Sequence, residues 1–590
     1  MELPVFANNL RSSASWKELL DQAHEQWQAA LASPGNREQL EPRVRMLQLL
    51  HTLTRAGKSV DERAAALLVL ALAAFALADN AVNRGITYAP APPPIAWADV
   101  PPLGVNAYNI QYEVDRAKVT RTLELAHDLG ARFVRMQMPW ADVEIAGKGD
   151  FVDHKNGKSA WEKYDFIFGE MVRLGLEPIV RLDTPPAWAR ARADATPEFK
   201  ARKAANGNAT GPPDDYADYA DFVRVVVERY RGQARFFQIW NEPNLLDEWN
   251  GQPPSPTNFV RLLRGAYGAA KAANPDAALL FPSLSPTDGL DKTAPISELD
   301  YLDQIYAAGG RPYFDIMSAQ AYGLGQPPDE HIYVRRGKSL LRPIDTRVDV
   351  SRVVLVREVM ERNGDGRKAI WISEFGYNSA PDAIPPERRN TWGPPVSEEL
   401  KGEYIVGQME RARREWPWIG VMNVWILRWG GPPPDPQDPT PYFALVGQDF
   451  RPMPAYERLK RFMDEGPIAG AGMHAWSHPA VEQRGASEWA VRFEGSSFGL
   501  RDLAGPFEVA IDGGAPAAMN PDVEGGAVAV ARSLADGPHT AVVRSANGPP
   551  GAFAVGRAQP YSWLWVAIPA LLVAGLAIVG ALAMRSVVFA

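Results

Sequence analysis

Two glutamates stand directly after apolar, strand-like segments of this chain. Glu242 follows the run RFFQIW and one asparagine, and Glu374 follows the run AIWIS. Because asparagine, glutamate and proline do not continue a buried strand, each acid is expected at the rim of a packed core. Two carboxyl groups suit the cleavage of a glycosidic bond, in which one protonates the leaving oxygen and the other stabilises or attacks the anomeric carbon. Exposed glutamates are common, so this chemistry requires a fold that brings the two acids together.

Strand-like and helix-like patterns alternate around these acids from about residue 103 to residue 463. Eight apolar runs predict strands, and they begin at Leu103, Arg132, Glu177, Arg235, Ala278, Phe314, Ala369 and Val421. The helix-like stretches between them span 116–129, 160–174, 216–232, 256–273, 296–308, 352–362 and 398–415. Repeated βα units predict an α/β fold, a closed (β/α)8 TIM barrel, with a doubly wound open sheet as the alternative. On the barrel Glu242 ends strand four and Glu374 ends strand seven, so both lie at one mouth.

The composition excludes several other kinds of chemistry. The chain has 590 residues, of which 46% are hydrophobic, and this length and composition predict more than one folded domain. Its 62 basic and 70 acidic residues give a net charge of −8 without long runs of one sign, so no nucleic-acid partner is implied. The absence of cysteine excludes disulfides, thiol catalysis and cysteine-bound zinc. The 18 tryptophans are expected mostly in the core, but some can stack on sugar rings.

The chain divides into segments of different character. We predict an N-terminal helical, cytoplasmic segment at 1–63, an apolar helix at 64–82, a Pro-rich linker at 83–102, the barrel at 103–465, a small all-β sandwich at 470–558 and a C-terminal transmembrane helix at 561–584. The sandwich is predicted from alternating apolar and polar residues with Gly-rich turns. Its sequence has no paired acids, so a spacer or packing module is favoured over a carbohydrate-binding role.

Two apolar runs bear on membrane attachment. The uncharged run from Trp563 to Met584 has aromatic residues at its start and Arg585 after it, which predicts a membrane span with a short cytoplasmic tail, rather than a buried core helix. The shorter run from Ala64 to Ala78 is compatible with an uncleaved signal-anchor, with an export signal that begins near Met46, or with a buried helix. With the signal-anchor, both ends are cytoplasmic and the barrel is extracytoplasmic at the cell membrane.

The two glutamate motifs resemble those of a known group of enzymes. The runs IWNEPN and WISEFGY, together with RMQMPWADVE, PIVRLDTPPAWA and the tryptophans of VWILRW, resemble the clan A glycoside hydrolases, in their β-xylosidase and iduronidase-like or cellulase-like branch. The resemblance covers about residues 103 to 463. It implies a TIM barrel and a retaining mechanism, with Glu242 as the acid/base and Glu374 as the nucleophile.

The same resemblance implies roles for residues around the pair. Asn241 would donate a hydrogen bond to the sugar 2-hydroxyl, Tyr322 would hydrogen-bond the nucleophile, and Arg135 would lower the nucleophile's pKa. The predicted sugar-stacking residues are Trp425 or Trp429, with Trp140, Trp188 and Trp240 as further candidates. Tyr322, Arg135 and each tryptophan also have a purely structural interpretation. One departure stands out, because Gln320 occupies a position where related families often carry histidine.

These patterns together predict a membrane-anchored, extracytoplasmic glycosidase that cleaves a poly- or oligosaccharide by double displacement. No metal or organic cofactor is expected, the partners are a carbohydrate substrate and membrane lipid, and the oligomeric state is left open. The alternatives are a catalytically silent sugar-binding or scaffold protein and a transglycosylase. Retention of both glutamates argues against the silent protein. The sequence does not separate hydrolysis from transglycosylation.

Overall fold

The computed structural model describes residues 84–88, 94–289, 291–329, 348–521 and 528–559, together with Ala570. The chain forms two units, of which the first contains Met1–Tyr88, His331–Thr346 and Arg557–Ala590, and the second Ala89–Glu330 and Arg347–Gly556. The predicted segments at 1–63, 64–82 and 561–584 lie outside the described residues, apart from Ala570. Among the residues that are described, no helix combines the length and apolar character needed to cross a membrane.

Eight parallel strands form the sheet at the centre of the second unit. They are β1 Leu103–Asn106, β2 Phe133–Pro139, β3 Glu177–Asp183, β4 Phe236–Ile239, β5 Ala278–Leu280, β6 Met317–Gln320, β7 Ile370–Phe375 and β8 Ile419–Val424. The hydrogen-bonded order is β5-β4-β3-β2-β1-β8-β7-β6, and a parallel bridge between Leu280 and Ile316 joins the two ends. Because the eight strands follow one another in sequence order around the sheet and this bridge links its two edges, the sheet closes into the predicted barrel, and the open doubly wound alternative is wrong.

Helices surround the barrel and connect its strands. They are α1 Arg116–Asp128, α2 Glu162–Arg173, α3 Pro197–Ala205, α4 Tyr216–Arg229, α5 Pro256–Ala273, α6 Glu298–Ala307, α7 Arg352–Arg362, α8 Pro386–Arg389, α9 Glu398–Glu415 and α10 Pro454–Asp464. Side-chain caps fix several starts: Asp115 accepts from the Ala117 amide, and Ser255 accepts from the Asn258 amide just before Pro256. All seven predicted helices are confirmed within about two residues at most ends.

The barrel interior changes from apolar to polar along its axis. At the amino-terminal end Phe133, Phe236 and Trp371 pack together, and the rings of Phe236 and Trp371 lie 4.7 Å apart. Side chains two residues further along a strand point to the same side, so Arg135 and Gln238 form the next layer inward. That layer is polar, since Arg135 Nε donates to Gln238 Oε1 at 2.9 Å. Apolar packing therefore seals one end, and hydrogen bonds organise the other.

Two antiparallel sheets follow the barrel, as the sequence predicts. Their strands are β9 Gly472–Ala475, β10 Val481–Gly485, β11 Glu488–Gly495, β12 Ser497–Arg501, β13 Phe507–Ile511, β14 Ala517–Met519, β15 Val528–Ala531, β16 Gly537–Arg544 and β17 Ala552–Gly556. The sheet orders are β9-β17-β12-β15 and β10-β11-β16-β13-β14. Alternate residues such as Val491, Phe493 and Val543 bury a core of their own between the sheets.

A buried ion pair ties this sandwich to the segment that precedes β1. Asp99 Oδ1 lies 2.8 Å from His474 Nδ1, and Asp99 Oδ2 accepts from the Ala475 amide at 2.7 Å. Both side chains are largely buried, with exposed fractions of 12% and 6%. Although burial opposes it, the hydrogen bond and charge of His474 lower the pKa of Asp99 below its ordinary value. The pair therefore stabilises the folded chain while Asp99 is ionised.

We predict that Asp99→Asn lowers the free energy of unfolding by about 2 kcal/mol at neutral pH, because a charge-assisted buried hydrogen bond is lost. The lowered pKa means that the wild-type advantage is present above the ordinary aspartate pKa and is lost as pH falls through the folded value. Chemical denaturation at neutral and acidic pH measures this. Glu482→Gln, in an exposed pair with Arg484, is the control and should change stability by less than about 1 kcal/mol. Equal effects from the two variants would contradict the prediction.

Candidate active site

The two predicted glutamates lie at the carboxyl-terminal mouth of the barrel. Glu242 follows β4, where Trp240 and Glu242 adopt φ values of 69° and 40°, a conformation that non-glycine residues rarely take. The backbone amide of Glu242 donates to Ser283 O at 3.0 Å, which fixes this turn beside the end of β5. Strain of this kind is often retained at functional sites, where the surrounding packing enforces it.

Glu374 reaches the mouth because β7 contains an irregularity. In the pairing with β6, Ala319 is opposite Ile372 but Gln320 is opposite Glu374, so one extra residue is inserted in β7. A bulge of this kind reverses the alternation of side chains and re-aims the residue that follows it. Ser373 therefore stays inside the barrel, with its Oγ donating to Ala319 O at 3.2 Å, and Glu374 faces the site.

Both carboxylate oxygens of Glu374 accept hydrogen bonds. Arg135 Nη1 donates to Oε1 at 3.0 Å, and the Tyr322 hydroxyl donates to Oε2 at 2.9 Å. Burial, then the charges of Glu374 and Glu242, raise the pKa of Tyr322 well above its ordinary value, so the hydroxyl keeps its proton and remains a donor. Glu374 is 7% exposed, which leaves little water around these contacts. Such an environment suits a carboxylate that has to act as an anion.

Arg135 is held in place by several acceptors besides Glu374. Its Nη1 also donates to Asn106 Oδ1 at 2.7 Å, and its Nη2 lies 3.5 Å from Asn241 Oδ1. Together with Gln238, these contacts fix a guanidinium that is only 3% exposed. The geometry makes Arg135 a positioning residue for Glu374, and links it to Asn241 beside Glu242.

Glu242 has different surroundings. Gln320 Nε2 donates to Oε1 at 2.7 Å, and Asn241 Nδ2 lies 3.4 Å from Oε2. Burial and, secondly, the negative charge of Glu374 raise the pKa of Glu242 to about 7, whereas the Gln320 hydrogen bond acts in the opposite direction. Glu242 therefore carries a proton for much of the time at neutral pH. Two carboxyl groups in distinct environments can take the roles of proton donor and nucleophile.

An aromatic cluster lies beside the pair at the end of β8. Trp425 and Trp429 both contact Tyr108, with ring centroids 5.1 and 4.9 Å apart, and Tyr322 belongs to the same cluster. Both tryptophans are partly exposed, and the peptide bond after Trp425 is cis. A partly exposed ring near two acids can stack on a sugar. Sugar stacking by Trp425 or Trp429 stays a prediction.

Two of the other tryptophans do not fit the predicted stacking role. Trp140 and Trp240 are both 0% exposed, so neither ring has a face available to a ligand. Trp140 stacks on Phe222 at 5.3 Å, and its Nε1 donates to Glu144 Oε2 at 2.7 Å. The proposed sugar contact is therefore wrong for Trp140 and Trp240, which belong to the core. Trp188 is partly buried against Trp140 at 5.5 Å, and its role stays a prediction.

The mouth also contains three charged residues that the sequence motifs did not single out as site residues. Arg181 and Asp183 end β3, and Glu248 lies in the short 3-10 helix Leu246–Glu248 after β4. Arg181 Nε lies 2.7 Å from Asp183 Oδ2. Burial, then the charges of Asp183 and Glu242, raise the pKa of Glu248 well above its ordinary value. The signal available for the first two was their position, since charged residues at alternate positions near the end of a buried barrel strand face its interior.

One group among the described residues has the side chains of a metal site. The ligand atoms of Asp99, His474 and His478 lie within 4.8 Å of one another. However, His474 Nε2 already bonds Gly470 O at 2.9 Å, and His478 Nδ1 accepts from the Ala480 amide at 3.0 Å. Burial lowers the pKa of His478 to about 3, so its ring is neutral, and the lone pair of Nδ1 is used by the Ala480 amide rather than by a metal. We assign this group a structural role at the sandwich.

The described chain is thus a (β/α)8 barrel with two carboxyl groups, held by different contacts, at its carboxyl-terminal mouth. No protein-family model and no curated protein matches it. Solved structures that it resembles include a family 39 glycoside hydrolase from Bacteroides cellulosilyticus WH2, at 18% identity over 78% of this chain and 84% of that one, with a TM-score of 0.44. A monomeric beta-xylosidase from Caulobacter crescentus CB15 is 15% identical over 78% and 98%, with a TM-score of 0.42. GH5_18 from Streptomyces cattleya is 16% identical over 62% and 80%, with a TM-score of 0.43. The function is therefore inferred from this chain's own side chains.

Proposed function

We propose that this protein is a retaining glycoside hydrolase that cleaves O-glycosidic bonds of a poly- or oligosaccharide. The observation that carries the proposal is the contrast between the two acids at one barrel mouth. Glu374 is held by the donors Arg135 and Tyr322, and Glu242 has its pKa raised to about 7. A double displacement needs a carboxylate nucleophile and a carboxylic acid that is protonated at the working pH.

In the first step, Glu242 gives its proton to the leaving glycosidic oxygen as a Glu374 oxygen bonds to the anomeric carbon. The bond between that carbon and the leaving oxygen breaks, and a covalent glycosyl-enzyme forms. Esterification removes the negative charge of Glu374, which is one of the two causes that raise the pKa of Glu242. The pKa of Glu242 therefore falls, its ionised form predominates, and it accepts a proton from the attacking water. The water oxygen bonds to the anomeric carbon, Glu374 leaves as a carboxylate, and both acids return to their first state.

A screen of the full chain against polysaccharides tests this proposal, with proton NMR of the first product formed. We expect hydrolysis of at least one glycan, with the anomeric configuration of the cleaved bond retained in the product. Inversion would contradict the double displacement. Longer chains formed at the expense of hydrolysis would indicate a transglycosylase, and binding without any product would indicate a silent sugar-binding protein.

We extend the proposal to location, with the barrel outside the cell and anchored by the run from Trp563 to Met584. The support is the uncharged length of that run and the basic residue after it. Fractionation of expressing cells, followed by protease treatment of intact cells, tests the anchor and the side on which the barrel lies. Recovery of the chain in the soluble fraction, or protection of the barrel from protease, would contradict this part of the proposal.

The pH dependence of the reaction should report the proton on Glu242. We predict that kcat/KM falls as pH rises through about 7, because the acid form is lost. The Gln320 hydrogen bond lowers the pKa of Glu242, so Gln320→Leu should move this basic limb upward by about one pH unit and slow the reaction. The pH profile of kcat/KM for both proteins measures the shift.

Gln320→His serves as the matched variant, since a ring N–H can restore the donor. Its basic limb should lie closer to that of the wild type than the limb of Gln320→Leu does. A limb that stays in place in Gln320→Leu would show that the Gln320 amide does not act on the proton of Glu242.

A further inference from the structure

Arg181 lies in the mouth, with its Nε paired to an acid and its two terminal amino groups free to bind a ligand. Its Nε pairs with Asp183 Oδ2 at 2.7 Å, and its side chain is 16% exposed. Within the described part of the chain, its two terminal amino groups form no hydrogen bond with another side chain. They lie in the field of Glu242, Glu248 and Glu374, the acids of the site. Arg181 is therefore a candidate hydrogen-bond donor to a sugar held at these acids.

Asp183 is in turn fixed so that this guanidinium is preorganised. Gln137 Nε2 donates to Asp183 Oδ1 at 2.7 Å, and the Thr184 hydroxyl donates to the same oxygen at 3.0 Å. Asp183 is only 2% exposed. These two bonds fix a buried carboxylate beside Arg181, so we expect the Arg181–Asp183 pair to stay together when a ligand enters.

The two arginines of the described site each have an acidic partner before any ligand binds. Arg135 is paired with Glu374, and Arg181 is paired with Asp183. Besides burial and Arg181, the pKa values of the tyrosines at the mouth respond to acidic groups. Asp438 raises the pKa of Tyr108, and Asp142 raises the pKa of Tyr112. The described site therefore has no excess positive charge, and a carboxylate on the substrate would be buried there among acids at a cost in free energy.

We propose that the site selects uncharged sugars, and that the terminal amino groups of Arg181 donate hydrogen bonds to hydroxyl oxygens of the sugar held at Glu242 and Glu374. This inference rests on the proposed glycosidase function. It assigns the substrate class as a neutral glycan and excludes uronic acids from the position of cleavage.

The first experiment uses the wild-type full chain and pairs of 4-nitrophenyl glycosides that differ only at C6. Each pair presents a hexose with CH2OH or the corresponding uronic acid with a carboxylate. Where the chain cleaves only polysaccharides, the pair is the cleaved hexose polymer with its C6-oxidised form, or a cleaved uronan with its carboxyl-reduced form. We expect kcat/KM to be at least about 10-fold higher for the neutral member, the size of a modest pairing penalty. Faster cleavage of the uronic acid overturns the inference alone, whereas cleavage of neither member overturns the glycosidase function and the inference with it.

Two variants test the assignment to Arg181. Asp183→Asn leaves Arg181 without its anionic partner, so the preference for the neutral member should shrink by about 10-fold. Arg181→Met removes the donors and should raise KM for the neutral member by about 10-fold, with a smaller effect on kcat. Asp165→Asn, which loses a pair with Arg229 on the helical exterior, is the matched control and should leave the preference unchanged. A preference that is the same in all four proteins would overturn the role of Arg181.

Discussion

Glu374→Gln is expected to lower the turnover of every substrate that the wild-type chain cleaves by about 10⁴-fold or more, the scale seen when a covalent nucleophile is removed. The amide oxygen can still accept a hydrogen bond from Arg135, and the amino group can donate to the Tyr322 hydroxyl oxygen, but the amide cannot form the glycosyl-enzyme. Initial rates on the best substrate from the polysaccharide screen measure the loss. Activity close to that of the wild type would contradict the nucleophile assignment and the double displacement with it.

The Glu374→Gln protein needs a control for folding, because the substitution leaves Arg135 buried without its anionic partner. We expect a stability cost of about 3 kcal/mol, the usual penalty for breaking a buried ion pair. The bonds from Arg135 to Asn106 and Gln238 remain, and circular dichroism should show a folded protein. Glu374→Asp keeps the charge but withdraws the carboxylate by one methylene, so it should be more stable than Glu374→Gln and still lose most of the activity. A fully active Glu374→Asp protein would place the nucleophile elsewhere.

Much of this site could be predicted from the sequence because strand ends are readable. Apolar runs such as RFFQIW and AIWIS fix where β4 and β7 end, and in a closed parallel barrel all carboxyl-terminal strand ends meet at one mouth. This rule places Glu242 and Glu374 at one mouth from the sequence alone. It does not provide the bulge in β7, since the pattern AIWISEF reads as regular alternation and the extra residue appears only in the pairing with β6.

The sequence-based prediction failed for several site residues for one common reason. Whether a side chain near a strand end faces the mouth, the barrel interior or the helices depends on barrel geometry and on local backbone conformation. Trp240 follows β4 with a left-handed φ of 69°, and the ring is completely buried rather than exposed to a sugar. The Arg181–Asp183 pair follows the period-two rule from Ile179, but its meaning depends on which charges lie across the barrel. Composition alone contains neither kind of information.

The second large effect is expected for Glu242→Ala. Loss of the proton donor should slow cleavage of glycans and other substrates with poor leaving groups by about 10²–10⁴-fold, the usual contribution of general acid catalysis. An aryl glycoside with a strongly acidic phenol needs no protonation, so its first step should be nearly normal and the glycosyl-enzyme should accumulate as a burst of phenol. The second step then lacks its base, and water attacks slowly.

Azide separates this assignment from a merely structural role for Glu242. Azide is an anion that attacks without giving up a proton, so it needs no base, and the space vacated by the carboxyl group lies where water would attack. Added azide should restore the turnover of the aryl glycoside by Glu242→Ala, and the product should be a glycosyl azide with the anomeric configuration of the substrate. Glu242→Gln fills that space with an amide and should respond much less.

Two outcomes would contradict this assignment. If azide restores nothing in Glu242→Ala while the burst is present, another group deprotonates the water. If the burst is absent, Glu242 is required for the first step in a way that proton donation does not explain. A burst of phenol together with azide rescue of Glu242→Ala alone would be explained by a carboxyl group that first donates a proton and later removes one. The pKa of about 7 for Glu242, and its dependence on the charge of Glu374, make this cycle available.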